Sequence, residues 1–121
     1  MEKRKVFIVD DSQVIRERLT DRLEKLKGLG AISQAADKSS ALTTLQKETP
    51  DIVILDIQLP DGSGIDLLSK IKKENSQTIV IILTNFPYSI IRRRCLELGA
   101  DYFFDKSTEL EKLFDIFTAF N

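Results

Sequence analysis

Two hydrophobic rhythms alternate along the chain. Val6-Phe7-Ile8-Val9, Ile52-Val53-Ile54-Leu55 and Ile79-Val80-Ile81-Ile82-Leu83 are short apolar runs with no polar face. Such runs predict strands buried on both sides. Ile32 to Ala36 carries polar interruptions and is expected at a sheet edge, and Tyr102-Phe103-Phe104 predicts a short last strand. Between these runs the period lengthens. Ser12 to Leu26 places Ile15, Leu19, Leu23 and Leu26 at helical spacing, with Gly28 and Gly30 as the stop. Asp37 to Glu48 predicts a helix with Ala41, Leu42 and Leu45 inward, broken by Pro50, which lacks a backbone donor. Ile65 to Lys73 repeats the pattern through Ile65, Leu68 and Ile71. Ser89 to Leu98 does so through Ile91, Cys95 and Leu98, closed by Gly99. Thr108 with Glu111 three residues on reads as a capping box, opening a helix that buries Leu110, Leu113, Phe114, Phe117 and Phe120.

Strict alternation of strand and helix forces parallel pairing through right-handed crossovers. The expected fold is α/β, a five-stranded parallel sheet sandwiched by five helices. At 121 residues the chain has the size of one domain and buries a core without staples. Eighteen Lys+Arg against nineteen Asp+Glu gives a net charge of -1, which argues against direct nucleic-acid binding through bulk charge. The basic start, Met1 to Lys5, is followed by no long apolar stretch, so neither a signal peptide nor a membrane span is expected, and the cytoplasm is the expected location. The single cysteine, Cys95, forms no intramolecular disulfide and reads as a small hydrophobe. There is no histidine, which excludes histidine metal sites and His-activated nucleophiles on this chain.

In open α/β sheets, ligands bind beyond the carboxyl ends of the strands. Here strand one ends in Asp10-Asp11, strand three in Asp56, strand four in Thr84, and Lys106 follows strand five. Taken singly these have plain roles: Asp10 or Asp11 as a turn residue or helix cap, Thr84 as a β-former, Lys106 as a solvated lysine. Asp56 is harder to place, because an acid closing a four-residue apolar run is costly unless paired. Together they bring three carboxylates, a hydroxyl and an ammonium to one edge. Clustered carboxylates repel unless a cation lies among them, and an oxygen-only donor set suits Mg²⁺, with Mn²⁺ as an alternative. Magnesium shares its shell readily with phosphate, whose other oxygens a lysine and a hydroxyl would hold.

Val9-Asp10-Asp11-Ser12, Leu55-Asp56-Ile57-Gln58-Leu59-Pro60-Asp61-Gly62-Ser63-Gly64, Leu83-Thr84 and Gly99 to Lys106, in that order, resemble the receiver domain of two-component response regulators. The resemblance runs from Val6 to the last helix and implies a flavodoxin-like strand order, 2-1-3-4-5, with residues 1–121 forming one receiver domain and no output domain. It implies that Asp56 accepts a phosphoryl group from a histidine kinase or phosphotransfer protein. It implies that Mg²⁺ is held by Asp10, Asp11, Asp56 and the main-chain carbonyl of Gln58, that Lys106 pairs with phosphoryl oxygens, and that Thr84 and Phe103 form the switch. In that reading Thr84 moves toward the phosphate and Phe103 rotates inward behind it. The domain then catalyses only its own phosphorylation and dephosphorylation. Two positions depart from the family pattern: Asn85 replaces a small residue after Thr84, and Ser107 replaces the proline after Lys106. Gln58 and Phe86 occupy positions that tune the lifetime of the phosphate.

The resemblance also implies partner surfaces. One of Val14 and Ile15 is expected to point outward beside the acidic edge, where a kinase helix would dock. Helix four, strand five and helix five would form the face for a downstream protein or a second receiver, with an arginine of Arg92-Arg93-Arg94 pairing with Asp101, Asp105 or Asp115 of another copy. Two enzyme-like alternatives fit less well. An aspartate-nucleophile phosphatase of the haloacid dehalogenase type wants an acid where Gln58 stands. A nucleotide or flavin site wants a phosphate loop after strand one, where Asp10 and Asp11 repel anions. A receiver-like interaction module that works without phosphorylation is the remaining alternative.

Overall fold

The computed structural model describes residues 3–119. The chain runs β1 (Arg4–Val9), α1 (Gln13–Leu23), β2 (Leu29–Ala35), α2 (Lys38–Lys47), β3 (Ile52–Leu55), α3 (Gly64–Glu74), β4 (Ile79–Thr84), α4 (Ser89–Glu97), β5 (Tyr102–Asp105) and α5 (Leu110–Ala119). The five strands pair in the order β2-β1-β3-β4-β5, every pair parallel. This is the expected doubly wound, flavodoxin-like architecture. A two-rung antiparallel hairpin, Gln58–Leu59 against Gly62–Ser63, stands outside the sheet where the sequence predicted only a turn.

The apolar runs fill the centre of the sheet because they have two faces to bury. Phe7, Val53 and Val80 share a row, as do Val9, Leu55, Ile82 and Phe103. These rows pack under Ala41, Leu67, Leu68, Ile71 and Cys95. The alternate residues Ile8, Ile54 and Ile81 pack on the other face against Leu19, Leu23, Leu113, Phe114 and Phe117. Each buried Val, Leu, Ile or Phe side chain contributes about 1.5–3 kcal/mol by leaving water, so the sheet is fixed from both sides. No helix among the described residues is long and apolar enough to cross a membrane.

Several local expectations change. Helix α1 stops at Leu23, with Glu24 as its C-cap, and Leu26 packs from the following turn. Gly28, at φ 86°, turns the chain, while Gly30 lies inside β2. The Thr108–Glu111 capping box does not form. Glu109 reaches back instead, its Oε1 accepting the Asp105 N–H at 2.9 Å, because the exit from β5 already places Asp105 there. Glu111 is drawn to Arg22 on α1, at 3.0 and 3.3 Å. Leu42, Leu45, Ile65, Ile91, Leu98 and Leu110 are only partly buried, and Phe120 lies outside the described residues. Gly99, at φ 103°, follows the C-terminus of α4 in the conformation only glycine takes without strain.

Candidate functional site

The site lies at the carboxyl edge of the sheet, and the backbone ladder holds most of it. Asp10 N–H donates to the Ala35 carbonyl at 3.1 Å, Asp56 N–H to Val9 at 2.9 Å, and Lys106 N–H to Thr84 at 2.8 Å. Each residue stands one step beyond its strand, so its side chain leaves the core at the edge. Asp10, Asp56, Thr84 and Lys106 are all buried, and Asp11 is exposed.

Lys106 organises the charge. Its Nζ stands 2.7 Å from Asp10 Oδ2 and 2.9 Å from Asp56 Oδ2. The second oxygens are satisfied by the main chain: Asp10 Oδ1 accepts from Ser12 N at 2.8 Å and Asp56 Oδ1 from Gln58 N at 3.3 Å. Burial pushes the Asp56 carboxyl up from its ordinary value, against the pull of Lys106. Burial works against the charge on Lys106 as well, but the hydrogen bonds to Asp10 and Asp56 outweigh it and hold the ammonium above its ordinary value.

One oxygen from each of Asp10, Asp11 and Asp56 lies within 4.8 Å of the others. Three carboxylates against one ammonium leave two uncompensated negative charges when all are ionised. A hard, oxygen-ligated divalent cation cancels that excess, so the donor set fits the ion that the sequence implied.

Thr84 is fully buried, and its hydroxyl oxygen accepts the Phe86 N–H at 3.0 Å. Phe103 is buried in the sheet row beside Ile82, with the Arg92 guanidinium 5.8 Å from its ring centroid. The aromatic already occupies an inward position, where the sequence reading had it arriving there on phosphorylation. Ser107 does not displace Lys106. No peptide bond among the described residues is cis, and Asp105 Oδ1 ties the loop by accepting from Ser107 N at 2.9 Å and Ser107 Oγ at 2.7 Å.

The ambiguous residues now have places. Ser12, not Asp11, caps α1, its Oγ accepting from Ile15 N at 3.3 Å. Val14 points outward beside the site at 71% exposure, while Ile15 packs on the core. Cys95 is fully buried. In the arginine run, Arg93 pairs with Glu97 at 3.1 Å and Arg92 covers Phe103. Asp101 is already bonded within the chain, to Lys72 Nζ and Val80 N at 2.8 Å each, and Asp105 holds Ser107. Asp115, on α5, is exposed and acts electrostatically on Arg22 of α1.

Gly64 is a residue whose importance the sequence reading missed. A Cβ there would lie 2.0 Å from the Asp56 carbonyl oxygen and 2.9 Å from Ile57 Cα. Its N–H donates to the Ile57 carbonyl at 2.6 Å. The first turn of α3 thus touches the backbone that carries Asp56. The available signal was a glycine at the helix start, after a loop that already had one.

The model of the response regulator receiver domain matches residues 6–118. The probable transcriptional regulatory protein TcrX of Mycobacterium tuberculosis is 35% identical over 108 residues, covering 89% of this chain and 45% of that protein. A protein-glutamate methylesterase/protein-glutamine glutaminase of Treponema denticola is 34% identical over 113 residues, covering 92% of this chain and 30% of that protein. The chain therefore spans less than half the length of these two relatives. The BeF3-activated receiver domain of DrrB superimposes with a TM-score of 0.86 at 28% identity, covering 98% of this chain and 97% of that one. With the family model spanning nearly the whole fold and its acidic edge assembled as described, the chain belongs to the response regulator receiver domain family.

Proposed function

We propose that this domain accepts a phosphoryl group on Asp56 from a histidine kinase or phosphotransfer protein, and that the change is read on the face made by α4, β5 and α5. The observation that carries the reading is the Lys106 ammonium held between Asp10 and Asp56 at 2.7 and 2.9 Å. A buried lysine there has no packing purpose that a leucine would not serve better, but it is placed to pair with oxygens arriving on Asp56.

Mg²⁺, held by Asp10, Asp11, Asp56 and the Gln58 carbonyl, would supply the charge neutralisation that lets a carboxylate approach a phosphoryl group. An Asp56 oxygen attacks phosphorus, the bond from phosphorus to the donor nitrogen breaks, and the electron pair leaves with the donor imidazole. Lys106 then exchanges a carboxylate partner for a phosphoryl oxygen. The Thr84 hydroxyl keeps its bond from Phe86 N–H and turns its own hydrogen to another phosphoryl oxygen. The inward Phe103 under Arg92 is the arrangement that phosphorylation favours, so the modification shifts a population and need not build a new state. Downstream, the reader of that face is a partner protein or a second receiver.

The test is intact mass after incubation with a small acyl phosphate and Mg²⁺. One phosphoryl group is expected on the wild type, none on Asp56→Asn, and none with a chelator present. No uptake even from a kinase would favour the phosphorylation-independent interaction module, with Asn85 beside Thr84 as the departure that bears on it. A second prediction concerns lifetime. Phe86 is half-buried beside the site with its ring 6.3 Å from that of Tyr88, where it shields Asp56 from water. Phe86→Ala is expected to hasten loss of the phosphoryl group several-fold. An unchanged decay rate would remove the shielding role.

A further inference from the structure

The strongest feature outside the charge cluster is a clamp between α2 and the Gln58–Ser63 hairpin. Asp61, at the tip of that hairpin, is exposed, yet both of its carboxylate oxygens are committed. Oδ1 accepts from Lys38 N at 2.7 Å and Oδ2 from Ser39 N at 2.9 Å. These are the first two N–H groups of α2, which has no acid in its own first turn. They are donors that a helix leaves unpaired, and a residue 23 positions away satisfies the first of them. These bonds hold the Asp61 carboxyl below its ordinary value.

The same place is tied twice more. Asp37, the N-cap, accepts from Ser40 N at 2.7 Å. The Lys38 ammonium crosses to Asp66 in the first turn of α3 at 3.0 Å, and its stem runs so close over Gly62 that a Cβ there would lie 2.8 Å from Lys38 Cδ. The hairpin is thus pinned to α2 through Asp61, and the Lys38–Asp66 bridge ties α2 to α3 across Gly62. Its other end is fixed where the Gly64 N–H meets the Ile57 carbonyl at 2.6 Å. Between the fixed points lies Gln58, whose N–H bonds Asp56 and whose carbonyl the proposed function assigns to the cation.

We infer that Asp61 is a positioning residue for the cation site: by capping α2 from the hairpin, it fixes the path of the loop that carries the Gln58 carbonyl. Asp61 touches neither the cation nor the phosphoryl group. It acts through the backbone, as outer partners of metal ligands do when they fix ligand orientation. The inference rests on the cation-site reading above.

The test is titration of the full chain with MgCl₂, followed by amide shifts in NMR, with thermal midpoints measured alongside. Asp61→Ala is expected to weaken Mg²⁺ binding about tenfold, in the range seen when outer partners of metal ligands are removed. Asp61→Asn, which keeps one acceptor oxygen, is expected to fall between it and the wild type, and decides the matter if the alanine variant does not fold. Glu17→Gln removes an equal charge on α1, where Glu17, among the described residues, accepts only from Gln13 Nε2, without touching the clamp, and is expected to bind within twofold of the wild type. Wild-type affinity in both Asp61 variants with lowered midpoints would make Asp61 merely structural and overturn the inference. Equal weakening by Glu17→Gln would assign the effect to charge and also overturn it. A wild type with no saturable Mg²⁺ binding would instead overturn the cation-site reading, and the inference with it.

Discussion

Lys106→Met is expected to lower the stability of the metal-free protein by about 3 kcal/mol, the scale for removing one member of a buried ion pair. Methionine fills the space of the lysine stem but brings no charge. Asp10 and Asp56, both buried, then face each other and Asp11 within 4.8 Å with no cation between them. The main-chain bonds from Ser12 and Gln58 satisfy one oxygen each and leave the like-charge repulsion intact. Two further outcomes separate this cause from loss of packing. Mg²⁺ should stabilise the variant more than the wild type, because a ligand that binds only the folded state adds stability in proportion to its affinity, and the variant has one more uncompensated charge. Adding Asp10→Asn to Lys106→Met should recover part of the loss. Urea midpoints with a shared slope would give these differences. A single variant within about 0.5 kcal/mol of wild type would show that the carboxylates are screened without the lysine. Phosphoryl uptake by the variant should fall steeply even where it is folded, because among the described residues Lys106 is the ammonium that meets Asp56.

Gly64→Ala is expected to cost about 3 kcal/mol, at the top of the range for overpacking. The reason is the nature of the obstruction. The added carbon would sit 2.0 Å from the Asp56 carbonyl oxygen, 2.9 Å from Ile57 Cα and 3.0 Å from the Asp56 carbonyl carbon. All three are backbone atoms, so no side chain can rotate out of the way. Either α3 withdraws, breaking the 2.6 Å bond from Gly64 N–H to the Ile57 carbonyl, or the peptide after Asp56 turns. Both routes disturb the site, so reduced stability and reduced phosphoryl uptake should appear together. Normal uptake in a destabilised variant would show that α3 yields alone and that the Asp56 peptide stays in place.

What the sequence made legible follows from where each signal resides. The three central strands were readable because they are buried on both faces and so carry no polar residue from Val6 to Val9, Ile52 to Leu55 or Val80 to Leu83. Asp10 and Asp56 were readable at the edge because each closes such a run, and Lys106 because it follows the last strand at the same edge. The sequence did not show what depends on distant geometry. Thr108 and Glu111 have capping-box spacing, yet Glu109 makes the bond, because the path out of β5 decides which glutamate meets Asp105. Asp61 looked like turn chemistry, and its partners on α2 appear only after folding. The inward Phe103 depends on packing against its sheet row and on Arg92, neither of which periodicity reports.

The single cysteine also provides a clock. Cys95 is wholly buried on α4, and burial raises its thiol above the ordinary value, so a thiol reagent meets neither an accessible sulfur nor a ready thiolate while the chain is folded. Modification must wait for an opening that frees α4 from the sheet, and its rate in excess reagent measures how often that opening occurs. A cysteine introduced at Val14 or Ile90, exposed by 71% and 77%, would by contrast react at once. The same chain can therefore carry one surface probe at a chosen place while its native thiol, untouched, counts the excursions of its own core.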